Sequence, residues 1–425
     1  MEEQNGMKTK LTISGRAFRI NGRPTYAEIP GCDAAYHGLL MNARMIQGVF
    51  DDRENPRRFD RFGRSFDPDR TADDLAAALP AWHAQGLRAV TVGFQGGGPC
   101  FTTDNGTIRS SPYREDGGAM DSACLARMDR IIRGADDAGM AVIVSFFYGA
   151  QTRFLADDDA VLRAVKTASN WLRDQRYQNV IVEIANEHDV ENYRLHPILY
   201  TADGIVRLIQ TAQRESGGMP VGCSGTGGYF NADIAQASDV ILIHGNDQSR
   251  QRLWQLIRKA KAIVPARPVV VNEDSQALSN MAVCMREGVS WGYYNNMTKQ
   301  EPPTDWGITP GEDRFFAMRM ALTLGLAPKT PEKTDRFYLQ GLEEDATCDG
   351  KRWIRVAALY PEEIDYVSFV RDGQTVGRAY DDPFTLGSVG SNWYQPPFPE
   401  EIRPGERWSA RIHLRDGSFL EKTPE

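Results

Sequence analysis

The sequence predicts an α/β protein: a (β/α)8 TIM barrel over residues 1–328, followed by a small all-β sandwich over residues 329–425. Three observations carry that expectation. Apolar, β-branched runs alternate with stretches of helical periodicity, eight times in all, and such alternation implies a parallel sheet with helices outside it. The alternation spans roughly 300 residues, which suits a barrel of ~250 residues with insertions. After Pro328 the helical periodicity stops, and short β-type runs separated by Pro and Gly take over.

The elements follow in order. Residues 11–27 read as a hairpin, because FRI (18–20) and RPTYA (23–27) flank Asn21-Gly22, the dipeptide that favours a two-residue turn. The run GLLMNARMIQGVF (38–50) supplies the first barrel strand, with Asp51-Asp52 at its end. Thr71 and Asp74 make an N-cap for a helix reaching Gly86, with Pro80 as a kink. LRAVTVGF (87–94) is the second strand. Ser122 caps the next helix, whose Leu125, Met128, Ile131, Ile132 and Ala135 share one face up to Gly139. MAVIVSFFY (140–148) is the third strand, and a helix over 159–175 leads to the fourth, 180–187. Helix and strand then pair over 203–215 and 219–223, 231–237 and 239–244, 249–262 and 268–272, and 277–287 and 289–294, with a last helix over 312–325.

A doubly wound open sheet is the rival fold. It would need a Gly-rich turn after its first strand; GTGGYF (225–230) is in the wrong place for that, and GFQGGGP (93–99) reads as a loop needing backbone freedom rather than as a phosphate cradle. In the tail, runs at 352–360, 365–371, 375–380 and 407–415 are β-type, and Asp372-Gly373 is a hairpin turn.

Two strands end alike. VIVEIANEHD (180–189) is an apolar run that breaks into Asn186-Glu187, and PVVVNE (268–273) breaks into Asn272-Glu273. The C-terminal ends of barrel strands converge on the active site, so carboxylates there are candidates for chemistry. Alternation also places Glu183, Ala185 and Glu187 on one side of the fourth strand, and buried carboxylates are costly unless hydrogen-bonded or functional.

These two strand ends, at the fourth and seventh places, resemble those of clan A glycoside hydrolases, most closely the cellulase-type barrels of family 5. The F-x-x-N-G-x-P pattern of the opening hairpin is a second point of likeness, to hairpins that plug the bottom of such barrels. The resemblance implies a retaining hydrolysis of O-glycosidic bonds by double displacement, with Glu187 as acid/base and Glu273 as nucleophile. It implies that Asn186 meets the sugar 2-hydroxyl, that His244 stands near the nucleophile, and that Trp291 is an aromatic platform. Tyr294, Gln95 and Tyr148 are further candidates to line a sugar site. The chain departs from the family in carrying His188 where Pro is usual, no Arg at the end of the second strand, and no His at the end of the third. The stretch 367–386 resembles the middle of an immunoglobulin-like accessory module. Packing against the barrel is its expected role, with sugar binding through Trp393 and Tyr394 the alternative.

Composition narrows the partners. A net charge of −8 without a Lys/Arg-rich run speaks against nucleic acid, which leaves a carbohydrate as the expected partner. Cys32, Cys100, Cys124, Cys223, Cys284 and Cys348 show no C-x-x-C spacing, so neither a zinc ribbon nor a redox motif is expected. His188, Asp189, Glu191 and His196 match no metal spacing, and no metal or cofactor is expected. No apolar run reaches the ~18 residues of a membrane span. The polar start MEEQNGMKTK makes cytoplasmic the default location, and a secreted protein freed of its leader would start the same way. Two rivals to a glycosidase remain: a non-catalytic carbohydrate-binding barrel, and a metal-dependent lyase or isomerase. The latter needs a Lys base on a strand, which no strand here supplies.

Overall fold

A computed structural model describes residues 6–61, 63–99, 101–327, 329–343, 347–348, 351–387 and 403–424. The chain opens with an antiparallel meander, β1 (Leu11–Ser14), β2 (Ala17–Ile20) and β3 (Arg23–Pro24). Its second turn is the one expected, with Asn21 at φ 52° and Gly22 at φ 80°, as a type I′ turn demands.

Eight parallel strands follow: β4 (Asn42–Arg44), β5 (Ala89–Gly93), β6 (Ala141–Tyr148), β7 (Val180–Asn186), β8 (Val221–Gly222), β9 (Ile241–His244), β10 (Val269–Glu273) and β11 (Gly292–Tyr293). Six form one sheet in the order β11-β4-β5-β6-β7-β8, and β9 pairs with β10. Backbone hydrogen bonds reach across both gaps. Val271 N–H donates to Ser290 O at 2.9 Å, just before β11, and Asp239 N–H donates to Val221 O of β8 at 2.8 Å. The first and last strands are far shorter than the apolar runs at 38–50 and 289–294. Beyond Arg44 the chain still bonds to β5, Met45 N–H donating to Thr91 O at 2.9 Å and Ile46 O accepting from Gly93 N–H at 3.2 Å, before it turns away, and Ser290 makes an isolated bridge to Val270.

The helices lie between strands: α1 (Pro68–Ala84), α2 (Ser122–Asp137), α3 (Asp158–Asp174), α4 (Pro197–Tyr200), α5 (Ala202–Glu215), α6 (Ala232–Ala237), α7 (Arg250–Ile263), α8 (Leu278–Arg286), α9 (Asn296–Lys299) and α10 (Glu312–Thr323). Two start earlier than expected. Asp67, not Thr71, caps α1, accepting from Asp69 N and Arg70 N, with Pro68 at the first helical position. Asp121, not Ser122, caps α2. Pro80 is accommodated inside α1.

At the N-terminal end of the strands, Leu11 and Phe18 of the meander pack with Ala89, Ala141, Ile181, Leu242 and Val270. The meander thus covers the apolar bottom of the parallel strands, at the end opposite to Glu187 and Glu273.

The tail supplies β12 (Phe337–Gln340), β13 (Thr347–Cys348), β14 (Lys351–Arg352), β15 (Arg355–Ala358), β16 (Ile364–Arg371), β17 (Gln374–Ala379), β18 (Phe384–Thr385), β19 (Trp408–Leu414) and β20 (Phe419–Lys422). Two antiparallel sheets, β12-β15-β18 and β17-β16-β19-β20, share a core that includes Leu339, Val356, Phe369, Phe384 and Ile412. The turn between β16 and β17 is Asp372 (φ 50°) with Gly373 (φ 81°). This unit docks through buried polar pairs. Arg355 Nε meets Glu312 Oε1 at 2.7 Å, and Glu312 N–H donates to Gln340 Oε1 at 3.0 Å. Trp393 and Tyr394 lie outside the described residues.

Candidate active site

Two backbone irregularities build the site. β7 ends at Asn186, and the next residue, Glu187, takes φ 53°, a left-handed conformation uncommon for a side chain larger than Asn or Asp. Asn186 and Glu187 therefore both turn toward the strand ends instead of pointing apart. In β10 the register slips between Val271 and Glu273, so that Val271 faces Ile243 and Glu273 faces His244. Asn272 is the extra residue of this bulge, and such bulges re-aim side chains beside active sites.

The two glutamates meet. Glu187 Oε1 lies 2.9 Å from His244 Nδ1, and Glu273 Oε2 lies 3.7 Å from the same nitrogen. Asn246 Nδ2 donates to Glu273 Oε1 at 2.8 Å and stands 3.5 Å from Glu187 Oε1. One ligand atom from each of Glu187, His244 and Glu273 falls within 4.8 Å of the others, among the described residues the one grouping of this kind. The turn after β9 brings His244 and Asn246 to the pair. It needs Gly245, since a Cβ there would stand 2.3 Å from Asp274 Oδ2.

Arg44, from the end of β4, completes the cluster. Its Nε contacts Glu273 Oε2 at 2.6 Å and its Nη2 donates to Asn186 Oδ1 at 2.6 Å, with both charged side chains almost fully buried. The guanidinium also sits over the Tyr294 ring, 5.6 Å from its centre. Sequence reasoning sought an Arg on the second strand and missed this one on the first. The signal was present: a lone Arg inside the apolar run 38–50 is a buried charge that needs a partner.

Burial works against ionising either glutamate, but the outcomes differ. At Glu187 the hydrogen bond and charge of His244 outweigh burial and hold the carboxyl below its ordinary 4.5. At Glu273 burial, aided by the charges of Glu187 and Glu183, prevails over Arg44 and His244, and the carboxyl is held above 4.5. His244 is itself buried, yet the two glutamates hold its imidazole above 6.5. The two groups thus favour each other's charged forms, the imidazolium of His244 and the carboxylate of Glu187.

The other candidates fall in different places. Tyr294 is buried and gives its hydroxyl hydrogen to Gln300 Oε1. Trp291 lies beneath the site, fully buried against Tyr293 and Phe316, with its Nε1–H donated to Asp274 Oδ2 at 2.8 Å; it presents no ring face at the rim. Gln95 reaches Ser111 and the backbone of Tyr148, bracing the loops after β5 and β6. His188 is buried edge-on against Tyr229, Asp189 accepts from Thr226, and His196 faces Thr152 O, so these three serve separate contacts.

No protein-family profile matches the chain, and no curated protein matches it in sequence. Solved structures match in fold. A provisionally assigned glycoside hydrolase from Bacteroides vulgatus is similar at TM-score 0.51 and 10% identity, over 100% of this chain and 82% of that one. A family 5 glycoside hydrolase from the same organism gives TM-score 0.46 at 14% identity, over 96% and 94%. A β-glucuronidase from Bacteroides uniformis gives 0.44 at 11%, over 97% of this chain but 47% of that one. The chain has a glycoside hydrolase-like fold.

Proposed function

We propose that the protein is a glycoside hydrolase acting by retention on an O-glycosidic bond. The observation that carries this reading is the meeting of two strand-end glutamates, Glu187 and Glu273, across one Asn246 amide and one His244 ring. One carboxylate oxygen of each lies within 4.8 Å of one of the other, an approach that suits the group separation of ~5–5.5 Å used in retention better than the ~6.5–9.5 Å that admits a water for inversion. The eight parallel strands, linked across both gaps by backbone hydrogen bonds, are taken as one closed barrel whose C-terminal rim holds these groups.

Glu273 attacks the anomeric carbon. Arg44 and Asn246 steady its charge before attack and orient the carboxylate. The leaving oxygen takes its proton from Glu187. Because His244 favours the ionised form of that carboxyl, the proton is passed to it from His244 Nδ1, 2.9 Å away, and the donor is the pair rather than Glu187 alone. Once the glycosyl-enzyme forms, Glu273 is neutral, and Glu187 takes a proton from the attacking water. Asn186, whose Oδ1 is held by Arg44, offers its amide hydrogens to a sugar hydroxyl. Tyr294 lines the floor beside Arg44. The expected partner is a glycoside or an oligo- or polysaccharide.

Activated aryl glycosides test the roles. Glu187→Ala should form the glycosyl-enzyme but hydrolyse it about 100–10,000-fold slower, and azide should restore turnover as a glycosyl azide of retained configuration. Glu273→Ala with azide should give inverted product at best. Retained product from Glu273→Ala with azide would reverse the two roles. Parental rates in both variants would end this mechanism. Saccharide binding without turnover of any substrate in a broad panel would favour a binding protein.

A further inference from the structure

A third carboxylate is buried under the other two. Glu183 lies on β7, has no exposed surface, and takes no part in the bond-making steps above. Its Oε1 accepts two hydrogen bonds, from Ser224 Oγ at 2.7 Å and from Asn272 Nδ2 at 2.8 Å. Asn272 is itself the extra residue of the β10 bulge, and Ser224, just after β8, holds the backbone of the left-handed Glu187.

Ser224 Oγ is also the acceptor for Glu187 N–H, at 3.2 Å. A hydroxyl has one hydrogen and two lone pairs, so a hydrogen given to Glu183 leaves the lone pairs free for that N–H. The acceptor that Glu183 provides thus polarises Ser224 toward the residue held at φ 53°. On the other side, Asn272 is the extra residue of the β10 bulge. Its side chain points inward to Glu183, and that commitment leaves Glu273 facing Arg44 and His244. Arg44 supplies the compensating positive charge within the same buried cluster.

We propose that Glu183 is the positioning residue of this site: one carboxylate that ties the Ser224-held turn of Glu187 to the Asn272 bulge of Glu273, and so sets the distance between the two reacting carboxylates. This rests on the glycosidase reading for its consequence, but the anchoring itself is a statement about geometry and is tested separately.

Crystal structures of Glu183→Ala and Ser224→Ala carry the first arm. The expected result is that Glu187 leaves its left-handed conformation in both, and that the bridge from Asn246 to the two glutamates opens. Glutamates that keep their places in these structures overturn the proposal, whatever the enzyme does. If Glu183→Ala does not fold, Ser224→Ala and Asn272→Ala decide this arm alone.

Kinetics carry the second arm, on any glycoside the parent turns over. Glu183→Ala should lose about 100-fold or more in kcat with KM little changed, the signature of lost transition-state alignment. Glu183→Gln can still accept from both Ser224 and Asn272, and should recover kcat to within about tenfold of the parent. Its missing charge should also move the acid limb of kcat/KM to lower pH, since Glu183 is one of the charges holding Glu273 up. A residue that served stability alone would lower the melting temperature of both variants and leave kcat per folded molecule unmoved. That result would overturn the proposal. A parent without turnover on any glycoside would end the glycosidase reading, and the crystal structures would still settle the anchoring.

Discussion

His244 joins the two glutamates, and its protonation couples their charge to the stability of the fold. Its imidazole is held above 6.5, while Glu187 is held below 4.5. The signs are opposite, and they define a window. A raised His contributes stability that is complete below its unfolded value near 6.5 and is lost as pH rises through the folded value. A lowered Glu contributes stability that is complete above its unfolded value near 4.5 and is lost as pH falls through the folded value. The ion pair therefore stabilises most between those two figures. His244→Asn should show its largest loss of melting temperature in that interval and a shrinking loss toward alkaline pH. A loss that is constant with pH, or that grows above neutrality, would mean that His244 is neutral in the native state. The same proton matters for turnover, because the donor pair is exhausted once His244 titrates. The alkaline limb of kcat/KM should accordingly move or vanish in His244→Asn.

Among the elements, the hydrophobic pattern made the order and number of strands and helices readable, since apolar runs of β-branched residues and 3.6-residue stripes are produced by burial itself. The ends of elements were less readable. Thr71 and Ser122 looked like caps, but Asp67 and Asp121 lie further upstream and accept the free N–H groups. The two glutamates stood out because each ends an apolar run. Arg44 was marked only as a buried charge in need of a partner, and Asn246 not at all, because each reaches Glu273 from a different strand end and no local pattern reports that meeting. Strict alternation also failed where it mattered most. It would send Asn272 and Glu273 to opposite sides, whereas the β10 bulge turns both inward. The hairpin is a case where the local signal was complete, with Asn21-Gly22 making the turn and Phe18 filling the bottom of the strands. Phe18→Ala empties a fully buried site and should cost roughly 3–5 kcal/mol in urea unfolding. Because the site lies at the opposite strand ends, kcat of the folded fraction should hold. A cost below about 1 kcal/mol would show that the meander decorates the strands without closing them.

In the whole molecule, the C-terminal unit meets the parallel-stranded part through charges as well as through apolar packing. Ala357 and Leu359 join the main core, while Arg355 and Glu312 form a buried pair whose side chains are each 5% exposed. Gln340 ties the same carboxylate from β12, donating its Nε2–H to Glu312 Oε2 at 3.1 Å. A buried pair of this kind contributes little net stability compared with apolar residues of the same shape, but removing one member strands the other. Arg355→Met should therefore destabilise by about 3–5 kcal/mol, and adding Glu312→Leu should return part of that loss instead of deepening it. We expect both proteins to keep kcat on a glycoside, because Glu187 directly follows β7, His244 and Glu273 end β9 and β10, and among the described residues their side chains meet Arg44 and Asn246 rather than groups of the tail. A chain ending near residue 328 should behave as an extreme of the same series, with a lower melting temperature and turnover preserved in whatever remains folded. A well-folded truncate or Arg355→Met protein without turnover would show instead that the C-terminal unit completes the site. The route would then run through the loop after β11, where Met297 Sδ contacts Arg355 and Tyr294 backs Arg44.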